Sequence, residues 1–134
     1  MPRAGQTALL ISILLTMWSC GTRVEAVLCR NVSSKFEPIH PTTHFSRDSE
    51  SIYCAWEVKG GKETLAVRGV WYAEDVGKSA SPNYRIDEST EDIERQSRGW
   101  FRLRRPAQGW PPGKYRLEIY LDGQKADVLR FVVE

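Results

Sequence analysis

Residues 110–133 read WPPGKYRLEIYLDGQKADVLRFVV, and this stretch decides the fold class. Lys114 to Leu121 alternates strictly, with Tyr115, Leu117, Ile119 and Leu121 on one side and Lys114, Arg116, Glu118 and Tyr120 on the other. A period of two is the signature of a half-buried strand. Asp122-Gly123 follows, a pair whose residues tolerate the positive φ of a two-residue hairpin turn. Gln124 to Val133 then returns, with Leu129, Phe131 and Val133 as its inward set. Trp110-Pro111-Pro112-Gly113 is a turn that delivers the chain to this hairpin.

Upstream the same pattern recurs. Ser51 to Val58 places Ile52, Cys54, Trp56 and Val58 on one face and ends at Gly60-Gly61, a turn pair. Arg98 to Arg105 sets Phe101 and Leu103 against Trp100, Arg102 and Arg104, and Pro106 stops it. In Thr64 to Ala73, Leu65 and Val67 share a face while Val70 and Tyr72 are in the opposite phase, so a β-bulge is expected at Gly69. Tyr84 to Glu94 reads as a strand followed by a short helical turn capped by Ser89. About seven short strands separated by turn signals imply an all-β chain folded as a β-sandwich.

Gly113-Lys114-Tyr115, after a proline turn and before a hairpin, resembles the tyrosine corner of immunoglobulin-like and fibronectin-type domains. That likeness implies a Tyr115 hydroxyl bonded back to upstream backbone. The span from Trp110 to Val133 also resembles the closing hairpin of small bacterial periplasmic immunoglobulin-like domains of unknown function, a resemblance that implies a fold and no activity. Cys29 and Cys54 lie too early for the inter-sheet bridge of antibody domains.

Residues 1–26 read as a signal peptide or membrane anchor, leaving residues 27–134 as one sandwich domain. Ala8 to Trp18 is an apolar run that suits a secretory segment and is short for a spanning helix. Two processing readings stand: a cut after Ala26, following Val24-Glu25, or a cut before Cys20, whose context Met17-Trp18-Ser19-Cys20-Gly21 resembles a bacterial lipobox and makes Cys20 a lipidation site. Either one takes the first of the three cysteines out of thiol chemistry. Cys29 and Cys54 remain as an even pair in an oxidising compartment, so a disulfide between them is expected, worth about 3 kcal/mol for a loop of this length.

The formal charge of the whole chain is +2, which excludes the usual strongly basic nucleic-acid binder. That charge is unevenly spread. Residues 74–94 carry a net −5 and residues 95–134 a net +5. No phosphate-cradling glycine loop, nucleophile elbow or zinc-protease motif is present, and no motif requires a cofactor. Glu37, His40 and His44 are of metal-ligating types, but Pro38 and Pro41 forbid the helix that would align the histidines, so no metal site is assigned. The sequence therefore reads as a non-catalytic, exported binding or accessory module in the periplasm or cell envelope, docked on a larger membrane or envelope complex. Its partner is a protein, with an anionic lipid surface as the other class. The expected docking surface is one outer sheet face carrying Trp100, Arg102, Arg104, Arg116, Tyr120 and Arg130, because arginine and aromatics concentrate at binding hot spots. Internal neutralisation of that face by the acidic segment at 87–94 is the rival. A carbohydrate-binding module using exposed Trp71 and Trp100 is the second reading, and a small hydrolase or metal-binding protein the third.

Overall fold

In the computed structural model, residues 21–60, 64–94 and 97–134 are described, and they form two packed antiparallel sheets. The strands are β1 (Arg23–Val32), β2 (Pro38–Pro41), β3 (His44–Phe45), β4 (Ser51–Lys59), β5 (Thr64–Asp75), β6 (Tyr84–Glu94), β7 (Arg98–Arg104), β8 (Gly113–Leu121) and β9 (Gln124–Val133). One sheet has the order β2-β1-β4-β7 and the other β3-β9-β8-β5-β6. All pairings are antiparallel except that of β3 with β9. The immunoglobulin-like sandwich expected from the strand pattern is the fold observed. The expected Cys20 lipidation and residues 1–20 of the targeting segment lie outside the described residues.

The core is the sum of the inward phases. Ile52, Cys54, Trp56 and Val58 of β4 and Phe101 and Leu103 of β7 meet Val67 and Trp71 of β5, Tyr115, Leu117 and Ile119 of β8, and Phe131 of β9. Two glycines let this packing close. A Cβ on Gly99 would stand 2.2 Å from the Trp56 ring, and one on Gly69 would stand 2.7 Å from the Phe101 ring. Each aromatic thus lies flat on bare backbone: Trp56 across its own sheet, Phe101 across the interior. Asp122 and Gly123 have φ of 46° and 80°, the left-handed pair the hairpin needs, and the Asp122 carboxylate accepts from the Ala66 N–H at 2.9 Å. The tyrosine corner is present. Tyr115, buried among Trp110 and Phe131, donates its hydroxyl to the Pro111 carbonyl. Burial pushes its pKa up to about 12.

Several expectations are corrected by the register. Cys29 and Cys54 are free thiols. Cys54 stands opposite Leu28 and faces the core, whereas Cys29 stands opposite Tyr53. Alternation therefore points the two sulfurs to opposite sides of one sheet, a placement no disulfide can bridge. No bulge interrupts the pairing of β5 with β8 at Gly69; Leu65, Val67, Gly69, Trp71 and Ala73 keep one phase. Val70 and Tyr72 belong to the outer face, where Val70 is nonetheless buried. Trp71 consequently lies in the core, 2% exposed. The expected helical turn at Ser89 is instead continuous strand, because the free edge of β5 offers a partner along the whole of β6. The described residues form nine strands, the expected set of about seven with two short additions. The additions, β2 and β3, fall in the histidine–proline stretch, where Pro38 and Pro41 are tolerated in an edge strand.

β1 starts upstream of the expected boundary at Ala26. Arg23, Val24, Glu25 and Ala26 pair with Lys59, Val58, Glu57 and Trp56, and Val24 and Ala26 pack against the core. A chain starting at Val27 should be less stable than one starting at Gly21 by about 2 kcal/mol, from the lost apolar burial. Urea denaturation of the two chains checks this, and equal midpoints would refute it. Tyr115→Phe should cost about 1–2 kcal/mol through the lost buried hydrogen bond, read as a lowered urea midpoint at an unchanged m-value.

Candidate functional site

The six residues expected on a single docking face lie on two. Trp100, Arg102 and Arg104 project from β7 on the outer face of the β2-β1-β4-β7 sheet, with Phe101 and Leu103 turned inward between them. Arg116 and Tyr120 of β8 and Arg130 of β9 project from the outer face of the other sheet, on the far side of the sandwich. Alternation within each strand was readable in the sequence. The sheet to which each strand belongs depends on long-range pairing, which alternation does not encode.

The two faces are settled differently. On the five-stranded sheet, cations meet carboxylates. Glu118 is buried and accepts from Arg116 Nε at 2.9 Å, Lys125 Nζ at 2.9 Å and the Tyr120 hydroxyl at 2.7 Å. Arg116 also donates to Asn83 at 2.7 Å and approaches Glu74 at 3.5 Å, while its guanidinium lies 4.2 Å from the Tyr72 ring centre. Arg130 reaches the same Glu74 oxygen at 3.2 Å. Arg68 and Arg85 share Glu88. Internal neutralisation therefore holds for Arg68, Arg85, Arg116, Lys125 and Arg130 of this face, with Glu88 the acid from the 87–94 segment and Glu74 and Glu118 supplying the rest.

Glu118 shows what that network does. Burial alone would raise its carboxyl pKa, but the hydrogen bonds from Lys125, Tyr120 and Arg116 outweigh it and hold the group at about 2. The closely packed side chains also cover Val70 beneath them.

On the four-stranded sheet, successive rows across β1, β4 and β7 run Glu25–Glu57–Arg98, Val27–Ala55–Trp100 and Cys29–Tyr53–Arg102. The first row is paired, with Arg98 on Glu57 at 3.5 Å and Lys59 on Glu25 at 3.1 Å. The second is an apolar strip open to solvent. Trp100 and Val27 are each 40% exposed, and the exposed Phe36 lines a depression with Val27 and Ala55. Trp100 meets Tyr53 edge-on, ring centres 5.8 Å apart. In the third row Arg102 lies over the Tyr53 ring at 5.6 Å and donates to the Ser51 hydroxyl at 2.8 Å, but reaches no carboxylate among the described residues. Arg104 is exposed and reaches none of the described carboxylates either. A depression of about 280 Å³ opens beside this row, lined by Arg30, Asn31, Ser49, Glu50, Ser51, Tyr53 and Arg102; Glu50 lies in it without forming an ion pair with Arg102. An aromatic strip next to arginines without an ion-pair partner among the described residues is suited to binding.

The remaining sequence candidates do not assemble. Among the described residues no group of three metal-ligating side chains gathers, so Glu37, His40 and His44 form no centre. The acids of β6 are spread along an extended strand, alternate ones on opposite sides. Burial raises the pKa of both Cys29 and Cys54, which disfavours a thiolate. The carbohydrate reading keeps Trp100 and loses Trp71 to the core. Sequence reasoning missed Val27 and Phe36 as members of the strip that Trp100 ends. β1 had not been recognised as a strand, and Phe36 sits in a tight turn with φ of 62°.

No protein-family model matches the chain, and no curated protein is similar to it at a meaningful level. Solved structures share its fold. An immunoglobulin-like protein of Pseudomonas aeruginosa superposes with a TM-score of 0.52 at 13% identity, covering 85% of this chain and 97% of that one. The alkylpurine DNA glycosylase AlkC of Pseudomonas fluorescens, bound to DNA containing an abasic site analog, gives a TM-score of 0.52 at 11% identity over 84% of this chain. The β-glucosidase of Listeria innocua in complex with glucose gives 0.51 at 14% identity over 84%. This chain spans only 30% of the glycosylase and 16% of the glucosidase. At such identities the likeness is one of fold: this is an immunoglobulin-like β-sandwich.

Glu118 generates a pH prediction. Its folded pKa lies below the ordinary 4.5, so its stabilising contribution is complete above that value and is lost as pH falls toward about 2. Glu118→Gln should lower the urea midpoint at neutral pH, and the gap to the parent should narrow between about pH 5 and about pH 2. A gap that stays constant across that range would refute the network.

Proposed function

We propose that this chain is a non-catalytic, exported binding module that docks on a larger membrane or envelope complex through the outer face of its four-stranded sheet. The observation that carries this reading is the contrast between the two outer faces. On one, Arg68, Arg85, Arg116, Arg130 and Lys125 all rest on carboxylates. On the other, Arg102 and Arg104 pair with no carboxylate among the described residues, beside the exposed Trp100 and Val27. Exposed arginine and tryptophan beside an apolar strip have the composition of a protein-binding hot spot.

Export rests on the N-terminal apolar segment. The resemblance of the closing hairpin to that of bacterial periplasmic immunoglobulin-like domains supports a periplasmic or cell-envelope location. Processing before Cys20 leaves β1 whole, whereas a cut after Ala26 would strip four of its paired residues. A lipid anchor at Cys20 would hold the sandwich close to the membrane surface, within reach of an envelope partner.

The proposal is tested by placing a photo-crosslinking amino acid at Trp100, at Arg104 or at Val128 in the native host. Val128 lies on the opposite outer face. Discrete adducts of one mass are expected from positions 100 and 104 and none from 128. Adducts from 128 alone, or from none of the three, would refute docking through this face.

A further inference from the structure

We infer that β7 takes up an extended acidic segment of a partner protein as a fifth strand of its sheet, with two acidic side chains of that segment seated on Arg102 and Arg104. This rests on the docking face proposed above and specifies what binds there.

The direction of the backbone groups carries the inference. The Val58 N–H donates to the Ser97 carbonyl at 2.9 Å, and the Arg105 N–H donates to the Glu50 carbonyl at 2.9 Å. Odd-numbered residues of this stretch therefore turn their polar backbone groups toward β4. Successive residues of a strand alternate, so Arg98, Trp100, Arg102 and Arg104 turn theirs to the opposite side, where the sheet ends and no further strand lies among the described residues. These same four residues carry their side chains on the outer face.

Backbone hydrogen bonding and side-chain contact thus coincide. In an antiparallel ladder, residues that exchange both backbone bonds stand about 5.5 Å apart with side chains on one face. A strand added to β7 places the residue bonded to Arg102 beside the Arg102 guanidinium, and likewise for Arg104 and Trp100. Arg98 already has Glu57. The segment that fits reads, from its N-terminus, acidic–x–acidic–x–apolar, opposite Arg104, Arg102 and Trp100. Arg102 is held in place by Ser51 and Tyr53, so little ordering remains on binding.

An anionic membrane fits less well. The unneutralised arginines form a single line along one edge, and Glu25, Glu37 and Glu57 border the same face, where they would be pressed against anionic headgroups. Strand addition requires contact only along β7.

The test uses the full chain and the capped peptide Val-Glu-Val-Glu-Val-Leu-Val, with two controls: lysine in place of both glutamates, and N-methylation of both glutamate nitrogens. The parent peptide should bind saturably, and each control at least tenfold more weakly. Arg102→Glu with Arg104→Glu should reverse the preference in favour of the lysine peptide, a gain that also shows the variant is folded. Arg104→Gln alone should weaken the parent peptide severalfold with an unchanged thermal midpoint. Equal binding of the N-methylated peptide would overturn strand addition while leaving docking by side chains intact. Binding of phosphatidylglycerol vesicles without binding of the peptide would overturn it in favour of lipid. If neither binds, strand addition is wrong, and the cross-linking result at positions 100 and 104 decides independently whether the docking face itself survives.

Discussion

The placement of Phe101 against Gly69 is the contact on which the rest of the structure depends. It is a point where a ring from an edge strand of one sheet rests directly on the bare backbone of the other. With Phe101 inward, Gly99 and Leu103 must be inward as well, and Gly99 then supplies the bare backbone on which Trp56 lies. A shift of β7 by one residue would bury two arginines and a tryptophan in place of a phenylalanine and a leucine, at a desolvation cost no sandwich of this size sustains. The outward set Arg98, Trp100, Arg102 and Arg104 is therefore a consequence of core packing. Function, on this view, uses the face that packing leaves over.

The two sheets treat their outward residues differently for a topological reason. β8 and β5 are interior strands of a five-stranded sheet, so the outward side chains of β8 have neighbours on both sides, and Glu118 can collect Arg116, Lys125 and Tyr120. β7 is an edge strand and has neighbours on one side only. Glu57 neutralises Arg98, but across from Arg102 and Arg104 stand Tyr53 and Ser51, which offer a ring and a hydroxyl in place of a carboxylate. Charge left unpaired at a sheet edge protects a monomer against indiscriminate edge-to-edge association, and it also restricts which partner can be accepted.

Much of this was legible in the sequence wherever one local rule sufficed. The alternation of β4, β7, β8 and β9, the Asp122-Gly123 turn and the tyrosine corner each follow from a few adjacent residues. What was misread required knowledge of a distant neighbour. Trp71 looked exposed because Val70 is apolar on the outer face, and only the side chains above Val70 explain why a valine is there. Cys29 and Cys54 looked like a bridge because they were two. Their pairing partners, Tyr53 and Leu28, put them on opposite sides of the sheet. The candidate site was half legible for the same reason: Trp100, Arg102 and Arg104 share a strand, while Arg116, Tyr120 and Arg130 share only its composition.

The most direct measurement is residue-resolved amide hydrogen exchange along β7 in the free protein. If the edge is open and its phase is set by Phe101, the Phe101 and Leu103 amides, bonded into the ladder with β4, exchange slowly, and the Trp100, Arg102 and Arg104 amides exchange orders of magnitude faster. Uniform protection along the strand would mean that its outer edge is already occupied, and the inverse alternation would mean that the register, and with it the docking face, is wrong.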